Sequence, residues 1–351
     1  MTSASATDLP SYSSLVGRRI LILCIAAFLL CVSFFIDITN GPGKFPNATI
    51  LEILFDKASH GLRMEVIVWD FRLPIAVTAV LVGAMLSIAG AQMQTILNNP
   101  LAEPFTLGVS SAASFGASLA IVLGWSLIPN VGHLIVTVNA FIFALGTCAF
   151  LLLATRLKGV GSETIVLFGI AIFFIFNAAL AMMQYMASED QLSRIVFWMM
   201  GSLTRASWPK IGLGSLLLLI VIPICLFRSW QLTALRMGEE NALSMGVDVS
   251  RLRIEMLIII SILAATAVAF VGTVGFVGLV GPHIARMIVG EDQRFFLPLS
   301  AVTGALMMSL TSILSKMITP GILYPIGIIT ALIGVPVFIS VILSTRRNRL
   351  S

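Results

Sequence analysis

Long runs of apolar residues, separated by short polar stretches, decide most of what this chain can fold into. Ile20–Ile36, Ile211–Phe227 and Gly327–Leu343 are three of them. Each approaches the roughly 20 residues that a helix needs to cross a bilayer. Hydrocarbon offers no partner to a backbone amide, so only helices and closed barrels can sit in it. A barrel strand alternates apolar and polar residues, whereas these runs are continuous. Composition points the same way. Of 351 residues, 58% are hydrophobic and 11% charged, against about 25% charged in a soluble domain. The expected fold is all-α and polytopic.

The runs and their breaks place ten spans near residues 20–37, 72–92, 104–124, 132–155, 163–187, 210–228, 253–271, 275–290, 297–316 and 325–344. Residues 18–345 then form one transmembrane domain. Before it lies a Ser/Thr-rich stretch, 1–17, expected to be mobile and cytoplasmic, and after it a basic tail, 346–351. An even count puts both termini on one side. Thirteen of the 21 lysines and arginines fall on that side, which the positive-inside rule assigns to the cytoplasm. Arg18–Arg19 ahead of an apolar run resembles a signal peptide. No small-residue cleavage site follows before Asp37, so an uncleaved first helix is expected.

The net charge of +5 is no nucleic-acid signal, because the basic residues sit at helix ends. Cys24, Cys31, Cys148 and Cys225 lie inside apolar runs without metal-ligand spacing. His60, His133 and His283 are far apart in sequence. No metal or cofactor is expected in this chain.

Gly90–Pro100 reads GAQMQTILNNP and Gly272–Pro282 reads GTVGFVGLVGP, each closing a long apolar run; Gly116–Ala117 and Gly304–Ala305 recur further on. Spans two to five and seven to ten would then be halves of an inverted repeat, a common transporter plan. The alternative is that glycine and proline are frequent in membrane helices anyway.

No G-x-x-x-x-G-K-[ST] loop occurs; Gly41-Pro42-Gly43-Lys44 lacks the spacing, so no P-loop holds ATP here. The span centres carry no ionisable residue, which argues against a proton relay. What remains is a passive channel or a permease driven by a separate motor. Residues 229–250, between spans six and seven, suit a lever. Glu239, Glu240 and Asn241 can open a short helix, with acidic groups favoured by its dipole. Ala242, Leu243 and Met245 supply an apolar face, and Gly246 can end it. An ordinary solvated loop is the alternative.

Several fragments occur together in a telling order: Arg72-Leu-Pro, Leu81-Val-Gly-Ala84, Gly90, Gln94, Asn99-Pro-Leu-Ala102 with Pro104, Leu107-Gly-Val-Ser110 and Gly201-Ser-Leu203. Met237-Gly-Glu-Glu-Asn-Ala242, Gly246, Gly275-Phe-Val-Gly-Leu279, Pro282-His-Ile284, Arg286, Gly290, Pro325-Ile-Gly327, Gly334 and Pro336 follow. From about residue 66 onward the chain resembles the FecCD family of ABC importer permeases, the group containing the vitamin B12, iron-siderophore and haem permeases.

The resemblance implies a ten-helix, BtuC-like permease rather than an enzyme, in the bacterial inner membrane. It implies pairing with a second permease subunit, as homodimer or heterodimer, and a pathway between the two. Two ABC ATPase subunits would use the ATP and receive Arg236, Met237, Gly238, Glu239, Glu240, Asn241, Ala242 and Gly246 as a coupling segment. A periplasmic or lipid-anchored binding protein would deliver substrate. Ile75, Ser312 and Leu323 depart from the family's outer charges. Arg72 and Lys316 remain as candidate docking residues, with headgroup anchoring as the alternative. Spans five and ten would line the path. Asn177, Met183 and Gln184 on span five, near Met182 and Met186, are candidates, as are Ser110 and Ser114 on span three. Helix packing explains such residues equally well. A ferric siderophore is the expected substrate, with haem and vitamin B12 as alternatives.

Overall fold

An apolar run in lipid must close its hydrogen bonds within itself, and the chain does so almost throughout. The computed structural model describes residues 12–41, 43, 45–57, 61–129, 131–154, 162–319 and 322–350; residues 1–11, His60, Arg156 and Lys158 lie outside the described residues. In chain order the helices are α1 (Tyr12–Thr39), α2 (Asn47–Phe55), α3 (Leu62–Val66), α4 (Leu73–Ile96), α5 (Val109–Leu123), α6 (Ile135–Ala154), α7 (Ser162–Met186) and α8 (Glu189–Met199). They continue with α9 (Trp208–Phe227), α10 (Ser229–Arg236), α11 (Glu239–Ser244), α12 (Val249–Val271), α13 (Val277–Val289), α14 (Gln293–Met317) and α15 (Ile326–Leu350). A π-helical turn, Ile67–Arg72, joins α3 to α4.

Among the described residues, seven helical runs are long and apolar enough to cross a bilayer: α1, α3 through α4, α6, α7, α9, α12 and α14. Three shorter apolar helical stretches, Val109–Leu123, Val277–Val289 and Ile326–Ser340, complete the set. Each expected span falls on one of these ten. The 15-residue α5 and 13-residue α13 rise only about 20 Å at 1.5 Å per residue, less than the roughly 30 Å core. Each is preceded by non-helical chain, including the buried residues Ala102, Glu103, Gly272 and Val274. Irregular backbone at membrane depth is tolerated where protein surrounds it, and here it is surrounded.

The packing pairs come in matched sets. Helix α4 lies against α14 and α13, α12 lies against α6 and α5, and α4 and α12 touch each other at the centre. Close approach along α4 depends on glycine. A methyl group on Gly83 would strike the backbone of Gly304 and Ala305, and one on Gly90 would sit on the Gly278 carbonyl. Small residues at membrane helix contacts serve this end. The residue-by-residue match expected between Gly90–Pro100 and Gly272–Pro282 is not present. Gly90–Ile96 is helical to its end, whereas Gly272–Gly275 is non-helical and α13 begins at Val277. Gly116–Ala117 and Gly304–Ala305 likewise fall on α5 and α14, which pack on different neighbours. The correspondence lies between helices, not between those glycines.

Helix α1 is fastened to α14 at three heights. Arg19 Nη1 meets Asp292 Oδ2 at 3.3 Å, the Ser33 and Ser309 hydroxyls lie 2.7 Å apart, and Lys316 Nζ meets Asp37 Oδ1 at 2.6 Å.

Candidate functional site

Two features could serve transport: a lever at one end of the bundle and an apolar cleft along α15. The lever is α10 and α11. Gly238 (φ 116°) and Gly246 (φ 81°) bracket the six-residue α11 in backbone conformations that favour glycine. Ala242 and Val247 are buried beneath it, while Met237, Leu243 and Met245 are 65%, 56% and 44% exposed. Glu240, Asn241 and Ser244 are exposed beside them. Three apolar side chains exposed on and beside this short polar helix form a crest without a partner among the described residues.

The expected members of this segment divide by role. Arg236 belongs to the anchor rather than the crest. Its guanidinium donates to Glu291 Oε1 at 2.6 Å and Oε2 at 3.1 Å, and to Asn98 Oδ1 at 2.6 Å. Arg286 donates to Gln94 Oε1 at 2.7 Å beside it. The base of the lever is thus clamped to the ends of α4 and α13 by charge-assisted bonds. Glu239 meets Arg253 on α12 at 3.1 Å, so of the two glutamates Glu240 is the one with no ion pair among the described residues.

The cleft has a volume of about 680 Å³. Its walls are α15 from Gly327 to Pro336, the Met199–Met200 pair after α8, the Thr273–Phe276 segment, and Phe105. Among the described residues, no charged one lines it. Phe276 is one of two described non-glycine residues with positive φ, at 69°, and its ring lies where a methyl on Gly334 would have to go. That contact seats the aromatic wall against α15.

Helix α15 lines the cleft, whereas the candidate path residues Asn177, Met183, Gln184, Ser110 and Ser114 do not. Ser114 Oγ donates to the Ser110 carbonyl at 2.8 Å, and both serines are buried within α5. Asn177 Nδ2 donates to the Phe173 carbonyl of its own helix at 2.7 Å. Gln184 Nε2 lies 3.6 Å from Met199 Sδ and reaches the edge of the cleft only. Met183 is half-buried on α7. The α7 face that is exposed carries Phe173, Phe174, Ile175, Met182 and Met186.

The expectation that Arg72 and Lys316 present charge to a partner is corrected. Arg72 is 2% exposed. Its guanidinium donates to the carbonyls of Ile38, Thr39, Gly41 and Gly43 at 2.7–3.4 Å, closing the C-terminus of α1, where cations are favoured. Lys316, 7% exposed, donates to the Asp37 carboxylate and to the Asp37 carbonyl at 2.9 Å. Ser312 Oγ donates to the same carboxylate at 2.8 Å. The carboxylate beside Ser312 and Lys316 thus comes from α1. Asp37 and Lys316 stand 279 positions apart, and no local pattern links them.

Glu103 is a second buried carboxylate that sequence reading passed over. It sits between α4 and α5 and accepts backbone hydrogen bonds from Phe276 and Gly278, at the start of α13. One half of the chain thus caps a helix of the other, as a carboxylate at an N-terminus should.

A bundle of ten apolar helices, with an uncharged cleft and an exposed crest at one end, defines a membrane permease subunit. Residues 29–344 match the model of the FecCD transport family. The hemin transport system permease protein HmuU of Yersinia pestis is 35% identical over 77% of this chain and 80% of its own. The vitamin B12 import system permease protein BtuC of Vibrio vulnificus is 36% identical over the same shares. A solved structure of a candidate metal-chelate type ABC transporter, in an inward-facing conformation, superposes with a TM-score of 0.78 at 31% identity. It covers 93% of this chain and 99% of that one. The chain belongs to the FecCD transport family. It is a permease of the ABC importer type, and the resemblance, the all-α fold and the multi-pass membrane architecture expected from sequence hold.

Proposed function

We propose that this chain carries a bulky metal chelate, a ferric siderophore in the first place, across the bacterial inner membrane. The observation that carries the reading is the cleft along α15, roomy and without a charged lining residue. A bare cation needs oxygen or nitrogen ligands, and a small oxyanion needs donors. A wall of Met199, Met200, Phe105 and Phe276 offers neither. It suits a ligand whose metal is already wrapped. The chelate cargoes in the relatives' names, hemin and vitamin B12, support the same class, and haem and cobalamin are the competing substrates.

In this reading a second permease subunit, identical or related, pairs through the faces left open by α7 and α15. Two ABC ATPase subunits engage the α11 crest from the cytoplasm and supply the ATP, and a binding protein delivers substrate from the opposite side. Both termini lie in the cytoplasm, on the side rich in Arg and Lys. The test is ATP-dependent uptake in proteoliposomes holding the assembled complex and its binding protein. Labelled ferric siderophore, haem, cobalamin and the bare ions are offered in turn. Uptake of a ferric chelate above the others is expected; uptake of bare ions alone, or uptake without ATP, would remove the reading.

A further inference from the structure

A second cavity, of about 500 Å³, opens at the other end of the bundle. Helix α9 runs from Trp208 at this end to Phe227 beside α10, so the cavity lies on the membrane face opposite the lever. Three cations line it: Arg194 on α8, Arg205 just before α9, and Lys210 in the first turn of α9. Leu134, Val136 and Trp198 are among its apolar walls.

The cations are held in place but not neutralised. Arg205 donates to the carbonyls of Phe197 at 3.2 Å, Val271 at 3.4 Å and Trp198 at 3.5 Å, and its guanidinium lies 5.6 Å from the centre of the Trp198 ring. Lys210 Nζ donates to the Arg205 carbonyl at 2.9 Å. Among the described residues, no carboxylate forms an ion pair with any of the three. Burial lowers Arg205 to about 10. Concentrated positive charge in a partly dry cavity attracts an anion.

We propose that this cavity binds the phosphodiester headgroup of an anionic lipid in the leaflet opposite the lever. Position favours lipid over a soluble anion. The cavity sits at the ends of membrane-crossing helices, half of its lining residues are apolar, and Phe197 and Trp208 are exposed at its side. Aromatic residues collect at that depth, and Arg and Lys near helix ends reach the headgroup layer. The headgroup phosphate lies among Arg194, Arg205 and Lys210, and the glycerol and upper acyl chain lie along Leu134 and Val136. The site depends on neither the substrate nor the subunit partners proposed above.

The test is thermal unfolding of the full chain in detergent, titrated with phosphatidylglycerol, phosphatidylcholine or inorganic phosphate. Phosphatidylglycerol should raise the midpoint by about 3 °C, as a ligand specific to the folded state does, and phosphatidylcholine should not. Arg194→Gln and Lys210→Gln should each weaken the apparent phosphatidylglycerol affinity about fivefold, while Arg251→Gln at the lever end leaves it unchanged. The Arg194 side chain is exposed and makes no hydrogen bond among the described residues, so its variant folds even if Lys210→Gln does not. Equal responses to the two lipids, or an undiminished response in Arg194→Gln, would overturn the proposal. So would a full shift from millimolar inorganic phosphate alone, which would make the ligand a free oxyanion. Loss of binding-protein association in Arg194→Gln with the lipid response intact would assign the cations to docking instead.

Discussion

Lys316 and Asp37 share a site from which water is excluded, their side chains 2% and 0% exposed. Two charges in such a place hold each other, and removing one leaves the other uncompensated. Lys316→Met should therefore destabilise the folded protein by about 3–5 kcal/mol, whereas Asp37→Asn with Lys316→Met should recover most of the loss. Unfolding curves of the three variants in detergent decide it. A double variant as unstable as the single one would show that packing, not charge pairing, matters there. Asp37 and Glu103 were both visible in the sequence, but nothing local to either says that it is buried.

At the scale of elements, α11 is the case where sequence and structure meet. Its acidic start, the apolar Leu243 and Met245 and the closing Gly246 were legible, because capping and glycine preferences act over a few residues. Which side of it faces outward was not. Ala242 turned in and Met237 and Leu243 turned out because α12 and Val247 occupy the space beneath. If that crest engages an ATPase, Met237→Glu with Leu243→Glu should cut co-purification of the ATPase and lower uptake about tenfold or more, as loss of buried apolar anchors does at interfaces. Insertion and folding should be unaffected, since both side chains are exposed. Wild-type uptake in the double variant would detach α11 from coupling.

For the whole molecule, the proposed arrangement of ten crossings with both termini on one face is one that labelling can check. Single cysteines at Ser188 and Ser244, in a background lacking the four native ones, should react from opposite sides of the membrane, Ser188 from outside. Both positions are exposed, so failure to label would not come from burial. Reaction of both from one side would break the ten-span arrangement. Reaction of Ser244 alone from outside would invert it.

The apolar runs alone determined the class of fold and the approximate ends of the apolar helices, because in hydrocarbon the backbone has a single economical solution. The ordered glycine and proline fragments determined the family, since each marks a backbone that must bend or come close. Tertiary structure decided what those crossings do to one another. It turned Arg72 from a docking charge into the cap of α1 and gave Lys316 a carboxylate from the far end of the chain. It kept Ser110 and Ser114 for packing and placed the cleft on α15, Met199 and Phe276 rather than on Asn177 and Gln184. The physical reason is range. Hydropathy, capping and turn preference act between near neighbours, whereas burial and ion pairing depend on which helices touch, and residues hundreds of positions apart settle that together.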